Sequence, residues 1–273
     1  MYAGSTMTPL SGRILGAHQK IDRLARRNIE RLLPGCAFPS IHRIMHFEGN
    51  NGPDAIKRKS PAQDEPWHFF QPFNPDDTQL LKQIAAHHRQ LTAALRSSDT
   101  VRAAFEAAWL AHAMVDGLTP AHHYPYEEEV TVLRGGLGIE TRTSLKEKII
   151  FPGETLREQA HNNWRYWGPK GLFSTHTAFE WGVSTVMAPL RLTKTLPRVT
   201  DIEQFNTLGI EAWFRVTAQE VARLKLYDEF YARGWTTALS RRVRRELAPA
   251  LVRAVSVAWH DALLQAQKPE GQA

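Results

Sequence analysis

An all-α fold is what this sequence predicts, on three observations. Apolar residues recur at helical spacing through almost all of the 273-residue chain. No stretch alternates apolar and polar residues for long enough to make a half-buried strand. The breaks between periodic segments carry Pro, Gly, Asn and Asp, which stop helices and make turns. Composition agrees: 42% hydrophobic and 23% charged residues are ordinary for a globular domain. The length admits one multi-helix domain over residues 1–273, with ends expected to be flexible at 1–11 and 267–273.

Taken in order, Ile14, Ile21, Leu24, Ile29 and Leu32 mark a first amphipathic helix, closed by Pro34 and Gly35. Residues 35–77 change character and read as one long ordered loop, a kind of segment that usually carries function. The aromatic cluster Trp67, Phe69, Phe70 and Phe73 supplies the apolar mass that orders it. Helical spacing resumes at about 78–95 and 100–115, the second helix ended by Gly117 and Pro120. A loop with Gly135 and Gly136 follows, then short helices near 141–150 and 154–166. A helix at about 174–188 and two long ones at 208–232 and 238–266 complete an expected set of roughly eight. The last has an apolar face wide enough for core packing; touching a membrane surface is its other reading.

Several classes are excluded or disfavoured. No apolar run approaches the roughly 20 residues that span a bilayer. The first 20 residues lack the basic start and apolar core of a signal peptide, so the sequence as given points to the cytoplasm. Cys36 is the single cysteine, which rules out an internal disulfide and a Cys-rich metal site. The net charge of +6, from 34 Lys+Arg against 28 Asp+Glu, favours phosphate-bearing partners such as nucleic acid or an anionic lipid surface. The basic runs Arg23 to Arg27, Lys57 to Lys59 and Arg241 to Arg245, each taken alone, read first as solvated helix faces.

Chemistry concentrates in the histidines, of which there are 12. His112 and Asp116 stand four apart near the end of a helix, so both side chains leave one face. Gly117 ends that helix, Pro120 turns the chain, and His122 can return to the same pocket. His176 and Glu180 repeat the four-residue spacing. Either pair alone reads as a local hydrogen bond. Together, beside small residues (Ala107, Ala108, Ala111, Ala113) that let helices approach closely, they form a shell of N and O donors of the kind zinc accepts.

The pattern His112-x-x-x-Asp116-x5-His122 followed by His176-x-x-x-Glu180 resembles the core of the zinc-dependent phospholipase C family, which shares its fold with single-strand-specific zinc nucleases. His18 resembles that family's early helix histidine, and His68 the histidine before an aromatic, proline and acidic turn. Asp54, fourteen residues before His68, has the separation of its loop aspartate. The resemblance covers roughly residues 14–185, and weakly the long C-terminal helix. It implies two or three zinc ions. One is held by Asp54, His68, His112 and Asp116, a second by His122, His176 and Glu180. A third is held by His18 and shared Asp116. The family completes that third site with an N-terminal tryptophan. Here no tryptophan precedes Trp67 and 17 residues precede His18, so the site is completed by another group, formed after processing, or left weak or empty.

The implied reaction is metal-assisted attack of water on a phosphodiester, with Asp54 orienting the water or taking its proton. Phospholipid is the expected substrate, with peripheral membrane contact; single-stranded nucleic acid is the alternative. Trp67, Trp164, Trp167 and Trp181 serve as an apolar rim, as base platforms or as core. A non-catalytic zinc-stabilised scaffold, or iron or manganese in the same shell, remains a distinct reading. Relatives of this kind act outside the cytoplasm, against the leaderless sequence. Asp64 rivals Asp54 as the loop ligand. His42 and His46 read as structural or exposed, His123 as pointing elsewhere, His87, His88 and His260 as surface residues, and His161 as packing.

Overall fold

The computed structural model describes residues 16–48, 52–60, 67–189 and 195–269. Ile14, Asp64, the ends at 1–11 and 270–273, and the side chains of the basic run at 57–59 lie outside the described residues. Among the described residues every regular element is helical, as expected.

Helix α1 (Ala17–Leu32) stops where Gly35 takes a positive φ of 73°. The expected long loop is more structured than its composition implied. It contains α2 (Ile41–Glu48) and α3 (Pro53–Lys59); among its described residues, 35–40 and 67–77 are irregular. The period was there in Ile41, Ile44 and Phe47; the surrounding Pro and Gly residues start and stop short helices rather than prevent them. In 67–77 the backbone is held by Arg215, whose guanidinium donates to Asn74 O at 2.6 Å and Asp77 O at 2.7 Å. Phe70 is fully buried beneath that arginine.

Helix α4 (Gln79–Arg96) pairs with α5 (Thr100–Gly117), which Asp99 caps by accepting from the amides of Val101 and Arg102. A 3-10 turn at Pro120–His123 leads to α6 (Tyr126–Leu133), a helix the sequence reading placed in loop. Short α7 (Lys146–Ile149), then α8 (Leu156–Trp167) and α9 (Leu172–Met187), follow near their expected places. The expected 208–232 helix begins earlier and is divided. It forms α10 (Val199–Arg223), kinked at Gly209, and α11 (Leu226–Arg233), separated by Lys225 in the left-handed region. The chain closes with α12 (Thr237–Arg242), a π-turn at Val243–Leu247 and α13 (Ala248–Gln267).

The core forms where α13 runs through the molecule against α1, α4 and α5. By length and composition the Thr237–Gln267 stretch could cross a membrane, yet 83% of its apolar window is buried inside the protein. Core packing accounts for its apolarity. Trp259 is fully buried and donates to Ala107 O, while Asn28 bridges α1 to Ser256. Ala103, Ala104, Ala107, Ala108 and Ala111 are all buried, so α5 comes close to its neighbours with no side chain in the way. A smaller core of Val130, Leu133, Phe151 and Tyr166 lies under α6 and α8.

Burial also corrects three histidines expected at the surface. His88 and His260 are buried, His88 with its Nε2 3.0 Å from Asp261. His87 is part-buried with Nδ1 2.6 Å from the fully buried Glu106. All three sit on helix faces that the sequence period alone left looking outward. His161 is exposed instead of packed, whereas His42 and His46 are exposed as read.

Candidate metal centre

The carboxyl-terminal half of α5 builds the centre. His112 and Asp116 emerge from one face, with Nε2 of His112 3.2 Å from Oδ2 of Asp116. Gly117 is the last residue of the helix, and its Cα lies against Leu80 and Phe214; a Cβ there would overlap both side chains. Thr119 then accepts the His122 amide through its carbonyl, and its hydroxyl donates to Val115 O. That turn swings His122 back under Asp116, Nδ1 to Oδ1 3.8 Å. Phe70 N bonds His122 O, tying the 67–77 segment to the turn.

Around Asp116 the other expected residues converge. His18, from α1, places Nε2 3.2 Å from Oδ1 of Asp116. Asp54, in the first turn of α3, places Oδ1 3.7 Å from Nε2 of His112. Asp54, His68, His112 and Asp116 line one cavity of about 10 Å³ together with Trp67 and Trp109. That is room for a single water-sized sphere. His176 and Glu180, one turn apart on α9, lie 3.1 Å from each other, and Glu180 Oε1 is 2.8 Å from Nε2 of His122. The His122 and His176 rings stack at 4.9 Å. The structure therefore brings all eight expected residues together, six of them buried and Asp54 and Glu180 part-buried.

One member was not anticipated. Glu48, fully buried at the end of α2, has Oε1 2.8 Å from Nδ1 of His112 and 3.6 Å from Nδ1 of His18. Its signal was present: it falls four residues after buried Ile44, on the same helical face. Asp22, one turn beyond His18 on α1, is also buried beside it. Burial, and then the Glu48 carboxylate, raise the Asp22 carboxyl well above its ordinary range. For His112 burial opposes the charged form, but Glu48 and Asp116 outweigh it and push the imidazole well above its usual value.

Two sets of three, His18, Glu48 and His112, and His122, His176 and Glu180, can each hold a metal ion. The donors fit such an occupant. Neither ring nitrogen of His18, nor Nδ1 of His176, nor Oε2 of Glu48 is in a hydrogen-bonding geometry although all are buried. Buried polar atoms left this way cost free energy unless something binds them. The outer nitrogens are also arranged as ligating histidines require: His122 Nδ1 donates to His68 O at 3.1 Å, which leaves Nε2 as the free lone pair.

The aromatic residues divide. Trp67 lines the cavity, while Trp164, Trp167 and Trp181 are exposed. Phe69 stacks on Tyr126 at 4.9 Å, and Tyr126 in turn packs 5.3 Å from His176, making an apolar wall beside the second group. His123 turns away, as read, with Nε2 donating to Gly117 O.

Burial lowers His123 to about 4. The imidazole is thus neutral in the fold and takes a proton first when unfolded. Its contribution is intact above pH 6.5 and is lost as pH falls from there towards 4, by up to roughly 3 kcal/mol. Urea unfolding across that window should be less pH-dependent for His123→Gln than for the parent; equal slopes would refute the assignment.

An all-helical protein with a buried His/carboxylate centre able to hold metal ions is the class that fold and site define. Comparison with protein-family models, curated proteins and solved structures returns no match.

Proposed function

We propose that this chain is a zinc-dependent phosphodiester hydrolase similar to the zinc-dependent phospholipase C family, acting on phospholipids. The observation that carries the reading is the sharing of Asp116. Its two oxygens face different histidines, Oδ1 towards His18 and Oδ2 towards His112, and Oδ1 also faces His122. One carboxylate between separate groups of N and O donors is what closely spaced cations need when they clamp a phosphoester.

In this reading Asp54, His68, His112 and Asp116 hold one zinc, His122, His176 and Glu180 a second, and His18 with Asp116 a third. When bound, zinc supplies Lewis acidity towards phosphoryl oxygens and lowers the pKa of water. The chain's own residues do the rest. Asp54 is the most exposed of the Asp116-centred ligands, its side chain 25% accessible, and borders the cavity. It can orient an attacking water and accept its proton. Trp67 and Trp109 limit bulk water around that position. His68 O and Glu48 hold His122 and His112 in the ligating tautomer.

The test combines elemental analysis with three substrates: phosphatidylcholine vesicles, single-stranded DNA and bis(p-nitrophenyl) phosphate. About two to three zinc ions per chain and headgroup release exceeding DNA cleavage are expected. Faster cleavage of DNA would move the chain to the nuclease branch. Zinc without hydrolysis of any substrate would leave a metal-stabilised scaffold. No zinc after reconstitution would remove the metal reading altogether.

A further inference from the structure

Glu48 raises a question about which of its neighbours would hold metal directly. A neutral imidazole offers one lone pair, because its other nitrogen carries hydrogen. For His112 the two edges have different partners. Nδ1 meets Glu48 Oε1 at 2.8 Å, while Nε2 faces Asp116 at 3.2 Å, Asp54 at 3.7 Å and the cavity they line with His68. An ionised carboxylate only accepts, so Glu48 takes the Nδ1 hydrogen and the lone pair on Nε2 points to the cavity. His18 is oriented the same way but more loosely. Its Nδ1 lies 3.6 Å from Glu48 Oε1, outside hydrogen-bonding geometry, and its Nε2 faces the other oxygen of Asp116. The two rings stack in parallel, centroids 4.0 Å apart and planes 10° from each other. The plane of one ring therefore constrains the plane of the other.

We propose that Glu48 is a positioning residue: one buried carboxylate behind two stacked histidines aims both Nε2 atoms at the two oxygens of Asp116, setting two adjacent cation positions at once. This rests on the metal reading of the centre. It separates the two groups of three by role. His122, His176 and Glu180 bind directly, whereas Glu48 acts from behind His18 and His112 and is not itself a ligand. Carboxylates in such outer positions typically change metal affinity by about 10–100-fold.

Zinc titration against a chromophoric chelator, on the full-length chain, tests it. Glu48→Ala should weaken binding at the sites that use His18 and His112 by about 10–100-fold. The class of site at His122, His176 and Glu180 should stay within about twofold, because it has its own outer partner in His68 O. Glu48→Gln should be intermediate, since its amide oxygen still accepts from His112 but carries no charge. If the alanine variant does not fold, the glutamine variant against the parent decides the matter. Imidazole ¹⁵N shifts of the zinc-loaded parent should report His112 protonated at Nδ1 and ligated at Nε2, a signature lost in Glu48→Ala. A merely structural glutamate would not produce that pattern.

Unchanged affinity in both variants would overturn the proposal. So would a loss as complete as that of His112→Ala, which would make Glu48 a ligand. A parent chain that binds no zinc would instead overturn the metal reading, and the two failures are thereby told apart.

Discussion

Asp116→Ala is expected to abolish phosphodiester hydrolysis and to release metal from more than one position. Asp116 is buried at the meeting point of His18, His112 and His122, which come from three different elements. Removing it takes away both oxygens that those imidazoles face, so a defect confined to one ion is not expected. A loss of about 4 kcal/mol of transition-state stabilisation corresponds to roughly a thousandfold in turnover. Asp116→Asn keeps the shape and one acceptor oxygen but removes the charge, and should retain little of either property. Zinc stoichiometry and kcat for the two variants, with circular dichroism to establish folding, make the check. Full activity in a folded Asp116→Ala protein would refute the shared-ligand assignment.

Removing metal should destabilise the whole domain. A ligand that binds only the folded state at about a thousand times its Kd stabilises by roughly 4 kcal/mol. In a domain of this size that corresponds to about 10 °C in Tm. The physical source is local. Without a cation, buried ring nitrogens of His18 and His176 stay in no hydrogen bond. Since α1, α2, α3, α5 and α9 all contribute, releasing the centre should loosen five helices together. Melting curves with and without EDTA, followed by zinc addition, measure the effect. A Tm indifferent to chelation would count against resident metal. Recovery with magnesium but not zinc would point to a harder cation. Asp116→Ala should show a smaller shift on chelation than the parent, since the His122, His176 and Glu180 position does not use Asp116.

Much of the centre could be read locally. The His112/Asp116 and His176/Glu180 pairs needed only the helical period, and the structure places both as intervals of four predict. His122 followed from a helix stop and a proline. Its return to Asp116 depends on the Thr119 hydrogen bonds, which spacing does not specify. Glu48 was hidden because 35–77 reads as loop by composition, and a carboxylate in a loop carries no facing information. Once α2 forms, the same residue lies on the buried side with Ile44. His88 and His260 show the reverse error. Both look solvated by local pattern, yet both are buried, His88 beside Phe205 of α10.

By itself the sequence determined the helical class, the faces of α1, α4, α5 and α13, and which side chains share a turn. Those are consequences of a fixed 3.6-residue period and of Pro and Gly as stops. Only the tertiary structure decided that three separate elements bring imidazoles to one carboxylate, that Glu48 stands behind two of them, and that the apolar last helix is core. Period places a residue on a face. What covers that face depends on packing between distant helices, and no local interval encodes it.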